Sequence, residues 1–112
     1  PKQQRLLRMD SQRIHHFKTI RTGIETYWSR HHRLPTNLDS LAQEPELFIE
    51  SLDPEHQTPY DYRIIDSTHY ELCAVFSTPY QPIHKNIIER FWMHPAGKAC
   101  FTIEVDTSVF HP

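Results

Sequence analysis

Apolar residues at Leu7, Ile14, Phe17, Ile20, Ile24 and Tyr27 are separated by steps of three, four or seven, the spacing that lines one face of an α-helix. Gln12, Arg13, Lys18, Arg21 and Glu25 fall between them and are expected to face water. No proline intervenes from Lys2 to Leu34, so the pattern predicts one long amphipathic helix within residues 1–33. Gly23 costs about 1 kcal/mol relative to alanine inside a helix; it marks either close packing against another element or a tolerated surface position. Leu34-Pro35 then ends the helix, because the residue before a proline is pushed out of the helical region.

Thr36-Asn37 forms a cap for a short second helix carrying Leu38, Leu41 and Ala42, which Glu44-Pro45 breaks. Residues 43–59 contain Pro45, Pro54 and Pro59 and little periodicity, which predicts a loop pinned by prolines and anchored through Leu47, Phe48 and Leu52. From Tyr60 the period changes to two. Tyr60, Tyr62 and Ile64 alternate with Asp61, Arg63 and Ile65, and after a turn at Asp66-Ser67-Thr68 the residues Tyr70, Leu72, Ala74 and Phe76 do the same, which predicts a β-hairpin. A long connection over 77–90 leads to a short strand at Phe91-Trp92-Met93, a turn at Pro95-Ala96-Gly97-Lys98, and a last strand from Cys100 to Val105 with Phe101, Ile103 and Val105 on one face. A sheet this small must cover its apolar face, and the long helix is the element of adequate length. The expected fold is α+β: a single domain over 1–112, with the helix in 1–33, the short helix and loop in 34–59, and an antiparallel sheet of three to four strands in 60–106 wrapped on the C-terminal half of a protruding helix.

Composition supports one ordered domain. The chain has 112 residues, 38% hydrophobic and 23% charged, with two glycines, which suits one core and argues against low complexity. The net charge of −2 gives no field that favours nucleic acid. Positive charge is nevertheless gathered in residues 1–33, where Lys2, Arg5, Arg8, Arg13, Lys18, Arg21, Arg30 and Arg33 face only Asp10 and Glu25. That stretch suits a membrane surface or an acidic partner, and equally the solvated face of a helix. No run approaches the roughly 20 apolar residues that cross a bilayer. Because the chain opens at Pro1 on a helical pattern already in progress, an upstream segment is expected to have been removed.

Candidate chemistry is sparse. Cys73 shares a strand face with Glu71, and Cys100 with Thr102 and Glu104, opposite the apolar stripes. Two cysteines on polar faces favour a Cys73–Cys100 disulfide if their strands are adjacent, and with it an oxidising compartment; the alternative is a pair of free thiols in a cytosolic protein. Of nine histidines, His15-His16 and His31-His32 are adjacent pairs, whose side chains diverge by about 100° on a helix and cannot chelate one ion together. His84, His94 and His111 converge on a metal or small ligand only if the tertiary fold brings them together. Asp53 and Glu55 beside Pro54 read as turn chemistry rather than as an acid–base pair. No phosphate-binding loop or nucleophile elbow is present, and no cofactor or catalytic residue is expected.

The order of these features resembles the type IV pilins and type II secretion pseudopilins. Asp10 and Arg13 followed by Ile14, Phe17, Ile20, Ile24 and Tyr27 look like the soluble half of the pilin helix. Leu34-Pro35 with Leu38 and Leu41, then Asp53-Pro54, Pro59-Tyr60-Asp61-Tyr62 and Tyr70-Glu71-Leu72, are similar to the family's path into its sheet. The likeness covers about residues 10–76. The loop at 53–59 lacks the glycine and asparagine usual in major pseudopilins, and the part holding Trp92, His94, Gly97 and Cys100 does not match their calcium loop, so calcium is not carried over. The resemblance implies a non-enzymatic structural or assembly domain, anchored in the inner membrane by an upstream helix and exposed in the periplasm. It would contact other pilin-like subunits or secretion proteins through the helix face of Leu7, Ile14, Phe17 and Ile20 and the loops 43–59 and 77–90. The other reading is a standalone binding module built on the histidines.

Overall fold

The computed structural model describes residues 1–82 and 86–108. Helix α1 (Lys2–His31) spans most of the 48 Å long axis. It stops at His32, which adopts a left-handed conformation (φ 55°) and donates its backbone N–H to the Trp28 carbonyl. This termination comes before Leu34-Pro35, since a residue in the left-handed region already turns the chain out of the helix. Leu34 and Pro35 are instead buried against the core. Helix α2 (Leu38–Ala42) follows, with the Asn37 side chain accepting from the Ser40 N–H as the expected cap.

Strands β1 (Asp61–Ile64), β2 (His69–Phe76) and β3 (Gly97–Glu104) form one antiparallel sheet in the order β1-β2-β3. Asp66 makes the first hairpin by accepting the N–H groups of Thr68 and His69 on one carboxylate oxygen, the Asx chemistry that short polar turns use. Tyr70, Leu72, Ala74 and Phe76 of β2, with Phe101, Ile103 and Val105 at the end of the sheet, turn inward onto Phe17, Ile20, Ile24 and Tyr27 of α1. The architecture is therefore α+β, a long N-terminal helix on a three-stranded meander.

Several local expectations fail. Phe91-Trp92-Met93 is not a strand: helix α3 (Ile87–Phe91), capped by the Asn86 side chain accepting from the Glu89 N–H, runs up to Phe91, and Trp92 caps its C-terminal end. Only His94 pairs in β fashion, as an isolated bridge with Tyr80. β3 starts at Gly97, whose φ of 99° lets the chain turn directly into the strand. Ile64 sits at the end of β1, 43% exposed, rather than in the apolar face. Phe48, expected to anchor the proline-rich loop, is 91% exposed; its neighbour Ile49 packs on the core instead. Gly23 explains that contact, since a Cβ there would lie 2.8 Å from Ile49 Cδ1 and 3.5 Å from Leu41 Cδ2. The glycine is the seat of the loop on the helix.

Cys73 and Cys100 are directly opposed on β2 and β3 and form a disulfide, with their Cα atoms 4.1 Å apart. Replacing both by alanine is expected to lower the unfolding free energy by about 3.5 kcal/mol on the chain-entropy account of a loop of this separation. Urea denaturation of the variant against the oxidised protein measures it.

Candidate functional site

Asp10 and Arg13 lie one helical turn apart on α1, so their side chains project from the same face toward the sheet. Arg13 has no exposed surface. Its guanidinium is wholly paired: Nε and Nη2 meet the two oxygens of Asp53, Nη2 also reaches Glu55 at 3.0 Å, and Nη1 donates to Asp10 at 2.8 Å and to Ser77 Oγ at 3.3 Å. The five N–H donors of the fork are thus matched by five acceptors. The acceptors come from three parts of the chain: α1, the 53–57 turn, and the exit of β2.

The carboxylates are held just as closely. Asp53 accepts the N–H groups of Glu55 and His56, while its carbonyl accepts from Gln57 N–H, closing the turn. Asp10 accepts the Ser77 and Thr78 N–H groups and the Thr78 hydroxyl. For Asp10, burial pushes the carboxyl up, but the Thr78 hydroxyl, the two backbone N–H groups and Arg13 together hold it below its ordinary value. For Asp53, burial is likewise overcome by Arg13 and by the His56 and Glu55 N–H groups. Burial disfavours the Arg13 cation, yet Asp53, Glu55 and Asp10 raise its pKa. All three groups stay charged inside the fold.

This overturns the assignment of Arg13 to the water-facing side of the helix. Arg13 stands four residues before Phe17 and seven before Ile20, within the arc of the apolar stripe; its charge, not its phase, suggested water, and a cation surrounded by acceptors is as buried as an isoleucine. Asp53 and Glu55 do form turn chemistry, and they also complete the ion cluster. The pairing between residues 40 positions apart left no local signal; the available clues were the helical phase of Asp10 and Arg13, in line with Phe17, Ile20 and Ile24, and the co-occurrence of this i, i+3 pair with an acidic turn.

The residues expected to form an interaction face are divided by the fold. Phe17 and Ile20 are fully buried in the core, because the same stripe that suggested an interface is what covers the sheet. Ile14 is half-buried, and Leu7 is 46% exposed. Leu7 and Ile14 instead line an open groove of about 440 Å³ between α1 and the residues 78–80 and 89–94, with Lys18, Tyr80, Trp92 and His94.

His94 is buried, stacked on Phe76 at 3.6 Å between ring centroids, with Nδ1 donating to the Pro95 carbonyl. It is packed against the core, and its expected companions His84 and His111 lie outside the described residues. Among the described residues, one group has metal-ligating atoms within reach of one another, Glu71 with Cys73 and Cys100, and there both sulfurs are committed to the disulfide.

Removing Arg13 alone leaves two buried carboxylates facing each other, so Arg13→Leu is expected to cost about 3–5 kcal/mol, read by chemical denaturation. The acid response has a definite sign. Asp10 and Asp53 have folded pKa values depressed below 3.8, so the stability they contribute is complete above that value and is lost as pH falls through the folded values. A denaturation series below pH 4 should show that loss, with a shallower slope in Asp53→Asn. Compared with models of known families, with curated proteins and with solved structures, the chain matches none.

Proposed function

We propose that this chain is the extracytoplasmic domain of a membrane-anchored, pilin-like protein with a structural or assembly role and no catalytic activity. The observation that carries the reading is the way α1 is used. From Asp10 onward it is built into the domain, whereas its first turns run off the sheet with Lys2, Arg5 and Arg8 exposed and Leu7 half-uncovered. A helix that is half core and half extension can transmit position from an attachment point to a rigid head, and basic residues on the extension suit an anionic bilayer surface.

The disulfide supports the same side of the membrane, since structural disulfides persist in oxidising compartments. The ion cluster supports a mechanical role, because it fixes the helix to the sheet at the point where the extension leaves the domain. No helix of the described residues is long and apolar enough to cross a membrane, so the proposed anchor belongs to sequence outside them. The partners on this reading are other pilin-like subunits or membrane proteins that meet the helix extension and the loops 43–59 and 77–90.

The product of the complete gene, expressed in its own host with a C-terminal epitope, is expected to sediment with membranes, resist a high-salt wash and be released by detergent. Its head should be digested by protease added outside the cytoplasmic membrane. Recovery in the soluble cytoplasmic fraction with reduced cysteines would overturn the proposal.

A further inference from the structure

Strand β3 forms one edge of the sheet, and its backbone parity can be fixed. Val105 N–H bonds the Thr68 carbonyl at 2.8 Å, just past the end of the strand. Counting back from that pair, Ala99, Phe101 and Ile103 turn their backbone groups toward β2, and Lys98, Cys100, Thr102 and Glu104 turn theirs outward. The close approach of the Cys73 and Cys100 Cα atoms, as in a pair that exchanges no hydrogen bonds, agrees with this parity. Among the described residues no group pairs with the outward N–H and C=O groups.

The edge also lacks most of the devices that keep edges from pairing. Its register with β2 runs without a bulge from His69↔Glu104 to Phe76↔Gly97, and it contains no proline. Its charges are Lys98 near one end and Glu104 at the other. Their contacts within the chain are long, Lys98 to exposed Asp61 at 3.8 Å and Glu104 to His69 at 3.5 Å, and His69 is itself held by Asp66 at 2.8 Å.

We propose that the outer edge of β3 is a self-association surface, on which two copies of this chain pair their β3 strands antiparallel about a twofold axis at Phe101. Charge complementarity selects the second copy as occupant. In that register Lys98 of one copy lies opposite Glu104 of the other, twice by symmetry, and Cys100 lies opposite Thr102. These are the outward-facing residues, so the pairing that matches the charges is also one that forms the hydrogen bonds. A slip of one residue sets outward groups against inward ones, and a slip of two in either direction separates both charge pairs. On the helix-covered face Ala99 meets Ile103 and the apolar surface continues across the axis. Phe91, 38% exposed and 6.0 Å from the Phe101 ring, lies beside that edge.

This association goes beyond the membrane reading and is measured without any anchor. A strand pair of this length makes an interface at the small end of the range for specific contacts, so association in the micromolar to millimolar range is expected. Sedimentation velocity of the 112-residue chain over that range should show a monomer–dimer equilibrium. Thr102→Pro removes an outward N–H and leaves the β2 ladder intact; it should give a monomer with an unchanged circular dichroism spectrum. Lys98→Glu and Glu104→Lys should each weaken dimerisation about tenfold or more, and the double exchange should restore it. The three charge variants lie at exposed positions and keep the test decisive if the proline variant fails to fold. A chain that stays monomeric at millimolar concentration, or a dimer that ignores the charge reversals or is not rescued by their combination, overturns the proposal.

Discussion

A guanidinium placed in a protein interior forfeits its hydration, a loss of several kcal/mol that attraction to a single carboxylate does not reliably offset. Arg13 meets that constraint by gathering acceptors until each of its donors is used. The consequences reach most of the molecule. Asp53 must present two oxygens, so the 53–57 segment closes into a turn that aims them inward. Asp10 must share the cation and satisfy its remaining lone pairs, so the chain leaving β2 bends to offer the Ser77 and Thr78 N–H groups. Helix, loop and sheet are thereby tied at one point. A net stabilising contribution is not required for this to matter: the hydrophobic stripe allows the helix to roll or slide by small amounts on the sheet, and the directional bonds of the cluster admit one placement.

The core and the disulfide complete the clamp from the other side. Phe17, Ile20, Ile24 and Tyr27 pack on the apolar face of the sheet, Gly23 admits Ile49 and Leu41 against the helix backbone, and Cys73–Cys100 staples the two long strands on the outer face. The result is a clamped head that leaves, among the described residues, two uncovered surfaces, the basic first turns of α1 and the outer edge of β3. The proposed attachment and self-association rest on these two surfaces. His94, buried among the described residues, stacks on Phe76 and donates from Nδ1 to the Pro95 carbonyl.

Where an element depends on local periodicity, the chain declares it. The helix stripe, the Asn37 cap, the β1–β2 hairpin and the inward residues of β2 and β3 follow from spacing and turn chemistry, and the alternation in the strands was enough to put both cysteines on one face. Errors gathered where periodicity is short or absent. Three apolar residues at 91–93 fit a strand as well as a helix end, and α3, capped by Asn86, runs up to Phe91. In the proline-rich loop, Phe48 and Ile49 are interchangeable by composition, and only the space above Gly23 distinguishes them.

The amino-acid sequence by itself determined the class of fold and the material of its core, because apolar spacing acts over a few residues and hydrophobic burial is indifferent to which partner supplies it. Tertiary structure decided which charges are inside. A buried ion pair needs opposite charges brought together from positions as distant as Arg13 and Asp53, and nothing in either neighbourhood reports the other. For the same reason the free edge of β3 became visible only when the sheet order was known: an unpaired backbone group is defined by the strand that is not beside it.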